Sequence, residues 1–93
     1  MALALVWSDE AEEEFKDIIA YLLDEWGDES ARRFSDRLDK KLTSLGSMPN
    51  MGKRHSRLKA VRSLPMPPFY TLYYSVVREQ HIHILNLVDE RKA

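Results

Sequence analysis

The residues of this sequence that are best suited to chemistry are cations, gathered between positions 53 and 62. This stretch contains Lys53, Arg54, His55, Arg57, Lys59 and Arg62. Lysine and arginine side chains stabilise negative charge on phosphate and carboxylate groups, and a histidine can accept or donate a proton near neutral pH. The stretch is therefore suited to hold either nucleic acid or an acidic protein segment. Arg91 and Lys92 add two cations near the C-terminus.

Three tyrosines lie downstream of these cations and are the aromatic groups that could stack on nucleic-acid bases. If residues 69–77 form a strand, Tyr70 and Tyr74 lie on one face and Tyr73 lies on the other, because successive side chains alternate. Tyr70 and Tyr74 share their face with apolar neighbours, which predicts that they are buried. We therefore expect Tyr73 to be the tyrosine available at the surface. We expect Trp7 and Trp26 to belong to the core.

Two histidines, His81 and His83, are spaced so that they share one face of a strand. A metal site would need at least one more ligand, and the sequence has no cysteine and places no further histidine or carboxylate by motif. We therefore expect no metal and no cofactor. Both histidines are predicted to be solvated and available for contact with a protein partner. The sequence also has no glycine-rich phosphate loop and no nucleophile elbow.

Charge is distributed very unevenly along the chain. Residues 1–30 contain ten acids and one base, for a formal charge of −9, whereas residues 31–93 carry +8. One part of the molecule is thus suited to repel polyanions and another to attract them. The length of 93 residues predicts a single domain over residues 1–93, and the absence of cysteine fits a reducing cytoplasm. No apolar run is long enough to cross a membrane.

The elements that must position these residues begin with a strand over residues 3–7 and two helices. Ser8 or Asp9 can cap the first helix, with Glu12 completing a capping box after Asp9. Its apolar stripe runs from Ala11 to Trp26, and Gly27 ends it. Asp28 can cap the second helix. A link this short predicts an antiparallel helical hairpin.

The rest of the chain has the pattern of strands. Residues 46–57 read as a loop, followed by strands over residues 58–64, 69–77 and 81–87, with a Pro-rich segment at 65–68 and a tight turn at 78–80. The last strand is apolar on both faces, as expected of a central strand. The order β-α-α-β-β-β predicts an α+β fold in which the helical hairpin packs on one face of a mostly antiparallel sheet.

Several short patterns, taken in this order, resemble the ParE/RelE superfamily of bacterial toxins over nearly the whole chain. They are Trp7-Ser8, Ala11 with Phe15, Ile18 and Tyr21, Gly27, Ala31-x-x-Phe34, Leu45-x-x-x-Pro49-x-Met51-Gly52, Val61-Arg62-x-Leu64, Tyr70-x-Leu72-x-Tyr74-x-Val76, Ile82-x-Ile84-Leu85-x-Leu87 and Asp89-x-Arg91. The resemblance implies the toxin of a type II toxin–antitoxin (plasmid stabilisation) module, neutralised in the cytoplasm by a cognate antitoxin.

The resemblance leaves the mode of growth arrest open between three alternatives. ParE-like members inhibit DNA gyrase by binding, whereas RelE-like members cut messenger RNA on the ribosome without a metal. A third possibility is a weakly toxic domain that is kept as half of a stable antitoxin complex. RelE-like nucleases usually place a tyrosine or histidine near the C-terminal end, and this sequence ends in Lys92-Ala93. The expectation is therefore a gyrase inhibitor that is not an enzyme.

The resemblance also suggests roles for particular residues. If the chain were a nuclease, Arg62 and Arg91 would match basic positions of RelE-like enzymes, and His55 would supply proton transfer. The alternative for Arg62 is an ion pair with Asp89 or Glu90. The residues expected to contact the antitoxin or the target are Lys53, Arg54, Arg57, Lys59, Arg62, Tyr73, His81, His83 and Arg91.

Overall fold

The computed structural model describes residues 2–92. Its elements, in chain order, are β1 (Ala4–Trp7), α1 (Asp9–Trp26), α2 (Asp28–Ser47), β2 (Lys53–Arg54), β3 (Arg62–Met66), β4 (Tyr70–Val77), β5 (His81–Asp89) and a final 3₁₀ turn (Glu90–Lys92). The five strands form one sheet in the order β1-β5-β4-β3-β2. β1 is parallel to β5, and every other neighbouring pair is antiparallel.

The helical hairpin packs on one face of this sheet, and the core lies between them. The buried residues from both layers include Ile18, Leu22, Phe34, Leu38, Leu45, Leu64, Leu72, Ile82, Ile84 and Leu87. The predicted α+β class and the mostly antiparallel sheet are confirmed. No helix in residues 2–92 has both the length and the apolar character needed to cross a bilayer.

The beginning of α1 is joined to β5 through one serine. The Ser8 hydroxyl accepts a hydrogen bond from the Ala11 amide at 3.0 Å and donates one to the Leu85 carbonyl at 2.7 Å. Ser8 is thus the cap, and the predicted capping box from Asp9 to Glu12 was wrong, because Asp9 is already helical. Asp28 is likewise the first residue of α2 rather than its cap, which is Gly27 at φ 91°.

A β-bulge at Leu85 explains why β5 seemed apolar on both faces. Tyr73 pairs with Asn86 and Tyr74 pairs with Ile84, so Leu85 has no partner on β4. The extra residue shifts the alternation by one position. Ile84 and Leu87 therefore both face the core, and the prediction that Leu85 and Leu87 share a second apolar face was wrong.

The predicted strand over residues 58–64 was displaced, since β3 begins at Arg62 and continues through Pro65 to Met66. Proline lacks an amide hydrogen and is tolerated in a strand only where no partner needs that donor. β2 pairs only with Arg62 and Ser63, so the outer edge of β3 is open at Pro65. The predicted loop over residues 46–57 likewise contains the short strand β2 and the last residues of α2.

Aromatic residues divide between core and surface largely as predicted. Tyr70 and Tyr74 are 3% and 0% exposed, and Tyr73 lies on the open face. Trp7 is partly buried and packs edge-on against Phe15, with ring centroids 5.9 Å apart. The prediction for Trp26 was wrong, because its side chain is 69% exposed at the end of α1.

Candidate basic interface

Residues 53–59, here called the basic loop, present four exposed cations beside the β2–β3 edge of the sheet. They are Lys53, Arg54, Arg57 and Lys59. Within residues 2–92, the three ion pairs of the structure join other residues, so none of these four cations is neutralised by a neighbouring carboxylate. An exposed, uncompensated cluster of this kind attracts anionic groups and raises the rate at which they associate.

The buried tyrosine Tyr74 fastens the chain that leads into the basic loop. Its hydroxyl donates to the Pro49 carbonyl at 2.8 Å and accepts from the Gly52 amide at 2.9 Å. A side chain at position 52 would place its Cβ 2.6 Å from the Tyr74 hydroxyl oxygen, so only glycine allows this approach. Burial raises the pKa of the Tyr74 hydroxyl, partly offset by the Gly52 amide. The hydroxyl therefore stays protonated and keeps its bond to Pro49.

Arg62 serves the same segment from the neighbouring strand. Its guanidinium donates to the Gly52 carbonyl at 2.8 Å and to the Asn50 carbonyl at 3.2 Å. The predicted alternative, an ion pair with Asp89 or Glu90, was wrong because the sheet register places Arg62 opposite Tyr74, whereas Asp89 lies opposite Tyr70. Part of the hydrogen-bonding capacity of Arg62 is thus used to shape the loop.

His55 is also engaged in holding the loop. Its Nδ1 accepts hydrogen bonds from the backbone amides of Arg57 and Leu58, each at 3.1 Å. An imidazole nitrogen that accepts two amide hydrogens carries no proton of its own, so the neutral ring carries its proton on Nε2. Neither nitrogen is then free to take a proton from a substrate unless the loop rearranges.

Tyr73 stands beside His55 on the open face of the sheet. The two ring centroids are 6.5 Å apart, and the Tyr73 hydroxyl donates to Glu90 at 3.3 Å. Burial raises the pKa of the Tyr73 hydroxyl, and the Glu90 carboxylate raises it further. Tyr73 therefore offers a neutral aromatic surface next to the cations of the basic loop.

Arg91 is separated from the basic loop and is paired locally. Its guanidinium chelates both oxygens of Asp89, at 3.1 and 2.9 Å, and stacks on the Phe69 ring with its central carbon 3.5 Å from the centroid. These contacts hold the pKa of Asp89 below its ordinary value and raise that of Arg91. Asp89 pairs with Tyr70, and Arg62 pairs with Tyr74. Because these two tyrosines are four residues apart on β4, Asp89 lies roughly 13 Å along the sheet from Arg62.

The two histidines of β5 lie on the open face, as their spacing predicted. His81 pairs with Val77, and His83 pairs with Ser75, whose hydroxyl donates to the Ala60 carbonyl at 2.7 Å. One strand, β4, thus separates His83 from β3. His83 lies level with Ala60, next to the end of the basic loop. Among residues 2–92, no three histidine, cysteine, aspartate or glutamate side chains lie close enough together to hold a metal ion.

A groove of about 390 Å³ lies between α2 and the end of β3. Its lining contains three cations, one serine and two apolar residues. They are Arg37, Lys40, Lys41, Ser44, Met66 and Pro67. The Arg37 guanidinium reaches across it to the Pro67 carbonyl at 3.5 Å. The groove and the basic loop flank opposite ends of β3. Together they form a positively charged border along the open edge of that strand.

Comparison with known proteins decides the family. The family model described as the ParE toxin of the type II toxin–antitoxin system parDE matches residues 5–93. The chain belongs to this family. It is therefore a ParE-type toxin of a toxin–antitoxin system. No curated protein matches the chain significantly.

Solved structures of related systems have the fold of this ParE-family chain. The chromosomal ParDE toxin–antitoxin system from P. aeruginosa superposes with a TM-score of 0.77 at 21% identity, covering 95% of this chain and 96% of the other. The YoeB dimer from Staphylococcus aureus gives a TM-score of 0.63, also at 21% identity, covering 92% and 94%. At this identity the likeness describes the fold.

Residues that organise this part of the ParE-family chain were only partly visible in the sequence. Gly52 was predicted to lie in a loop, but nothing local indicates that it must admit the Tyr74 hydroxyl. Phe69 was assigned to a strand, whereas it is the surface on which Arg91 stacks. Both contacts join residues more than twenty positions apart, so a pattern of neighbouring residues does not contain them.

Proposed function

We propose that this ParE-type toxin arrests growth by binding and inhibiting DNA gyrase rather than by cutting RNA. The observation that carries the proposal is the state of the three candidate catalytic side chains. His55 accepts backbone amides, Arg62 donates to loop carbonyls, and Arg91 chelates Asp89. All three are engaged in contacts that hold the fold.

The chemistry of RNA cleavage makes this engagement costly for a nuclease. Cleavage without a metal needs a base, an acid and cations near the phosphate, and each well-placed acid–base group contributes a factor of ~10²–10⁴ in rate. The basic loop supplies cations in plenty, but His55 would have to release two amide hydrogens before it could act as a base. Arg91 is chelated to Asp89, which lies roughly 13 Å along the sheet from Arg62, so Arg91 belongs to a different surface.

The second part of the proposal is neutralisation by a cognate antitoxin that covers the positively charged border of β3. A flexible, acidic and amphipathic tail would lie along the strands. It would place apolar residues in the groove over Met66 and acidic residues against Lys40 and the basic loop. Such a tail orders on binding and buries apolar surface on both chains. The charge of +8 on residues 31–93 supports a partner segment of the opposite sign.

Expression of the toxin with and without its antitoxin tests the proposed function in the cell. Expression of the chain alone should arrest growth, and co-expression of the small gene expected next to it should restore growth. Normal growth at a verified soluble level of the free protein would contradict the toxin proposal. Arrest that the neighbouring gene leaves unrelieved would contradict the proposed neutralisation.

A charge-reversal variant tests where the antitoxin lies. Replacing Lys53, Arg54 and Arg57 together by glutamate should slow association with the antitoxin and weaken the complex, with the largest effect at low salt. The matched control replaces Lys16, Arg32 and Arg78 by glutamate, which changes the net charge equally at scattered, exposed positions. Equal association rates for the two variants would contradict the placement, because only total charge would then matter.

A further inference from the structure

The tip of the helical hairpin, here residues 23–30, protrudes beyond the core. Between Leu22 in α1 and Ala31 in α2, no residue is buried. Trp26 is 69% exposed and Leu23 is 44% exposed. Positions three apart on a helix are neighbours, so these two side chains form one apolar patch.

The position of Trp26 in α1 makes its exposure informative. Trp26 continues the stripe of Ile18 and Leu22, both of which are buried, yet its own side chain lies outside the core. Tryptophan presents a large apolar surface on a side chain with few rotatable bonds and is enriched among residues that dominate protein–protein binding. An exposed tryptophan on a protruding hairpin is therefore suited to enter a pocket on another protein.

The charges around the patch predict the sign of the charge on the protein surface that the patch would bind. Residues 23–30 contain four acids, Asp24, Glu25, Asp28 and Glu29, and no lysine or arginine. Of these four acids, all of which lie in the part of the chain that the structure describes, only Glu29 forms an ion pair, with the exposed Arg33 at 3.0 Å. The tip thus combines an apolar centre with uncompensated negative charge. This charge repels nucleic acid and matches a positively charged protein surface.

We propose that the hairpin tip is the surface by which this toxin docks on its target, with Trp26 entering an apolar pocket surrounded by cations. This inference rests on the proposed inhibition of gyrase, an enzyme whose DNA-binding surfaces carry positive charge. The antitoxin occupies a different region, because its acidic tail is complementary to the basic border of β3 and is repelled by the tip. Target docking and antitoxin binding are therefore divided between the negative and positive parts of the chain.

The test compares Trp26→Ala with Trp26→Phe and with the neutral variant Asp24→Asn/Glu25→Gln/Asp28→Asn, using purified full-length protein. The readouts are the toxin concentration that half-inhibits supercoiling by gyrase, the affinity for the antitoxin and the thermal midpoint. Trp26→Ala should raise the half-inhibitory concentration at least ~10-fold, and Trp26→Phe should raise it less. The neutral variant should weaken inhibition and reduce its salt dependence. In Trp26→Ala and Trp26→Phe, antitoxin affinity and thermal midpoint should stay unchanged, because Trp26 is exposed.

The outcomes separate this inference from the proposed function. If the wild-type protein inhibits gyrase and all three variants inhibit equally well, the tip is not the docking surface, although gyrase remains the target. Loss of antitoxin affinity in Trp26→Ala would also overturn the inference, because the tip would then belong to the antitoxin interface. If the wild-type protein leaves gyrase unaffected, the proposed function and the inference both fail.

Discussion

Removing the Tyr74 hydroxyl should destabilise the protein, whereas removing the Tyr70 hydroxyl should not. Both tyrosines lie on the inward face of β4 and are at most 3% exposed. The Tyr74 hydroxyl bonds both the Pro49 carbonyl and the Gly52 amide, while the buried Tyr70 hydroxyl has no partner among the described residues. Tyr70→Phe is thus a matched control for Tyr74→Phe.

The expected loss in the free energy of unfolding follows from the polar groups that lose their hydrogen-bond partner. In Tyr74→Phe the buried Gly52 amide loses its acceptor, and an unsatisfied buried donor costs about 1–3 kcal/mol. In a domain of this size each kcal/mol lowers the melting temperature by roughly 4–8 °C. Tyr70→Phe removes a hydroxyl that was already unsatisfied, so its free energy of unfolding should stay within about 0.5 kcal/mol of wild type or rise.

Urea unfolding followed by circular dichroism measures both variants, and amide hydrogen exchange locates the effect. Exchange at Gly52 should accelerate in Tyr74→Phe and remain unchanged in Tyr70→Phe. Equal losses of stability in the two variants, or a larger loss in Tyr70→Phe, would refute the reasoning. In that case the hydrogen bonds to Pro49 and Gly52 would not be what fastens the basic loop.

Two further predictions concern single contacts. The His55 ring should have Nδ1 unprotonated and its proton on Nε2 in ¹⁵N NMR spectra at pH 8, and a protonated Nδ1 in the neutral ring would contradict the contacts to Arg57 and Leu58. Arg91 holds the pKa of Asp89 below its ordinary value in the folded protein, so this contact stabilises the fold above the unfolded-state pKa and the contribution is lost as the pH falls through the folded pKa. Thermal midpoints between pH 5 and pH 2 should therefore fall less steeply in Asp89→Asn than in wild type, while the exposed control Asp36→Asn should follow wild type.

Local sequence patterns predicted the elements that depend on neighbouring residues. Ser8 and Gly27 bound α1 because a cap and a left-handed residue act within one helical turn. The tight turn before β5 also formed, with Arg78 and Glu79 at positive φ and the Gln80 amide donating to the Val77 carbonyl at 3.0 Å. The alternation along β4 correctly separated Tyr73 from Tyr70 and Tyr74.

The features that the sequence did not reveal depend on distant residues. The bulge at Leu85 changes which face each later residue of β5 occupies, and its carbonyl is held by Ser8 from the other end of the chain. Trp26 continues the four-residue spacing of the buried residues of α1, as a core residue would. Its burial, however, depends on how far the sheet extends beneath the hairpin. The partner of Arg62 depends on strand register, which sets Arg62 opposite Tyr74 rather than beside Asp89.

The direct test of the central claim is a supercoiling assay with purified gyrase, wild-type toxin and the variants His55→Ala and Arg62→Ala. We expect wild-type toxin to block supercoiling or trap cleaved DNA, and His55→Ala to retain this activity, because no step of inhibition by binding needs the imidazole. The same three proteins are added to translating ribosomes as a parallel arm. Codon-phased cuts in messenger RNA that disappear in His55→Ala or Arg62→Ala, with gyrase unaffected, would contradict the proposal and establish a nuclease.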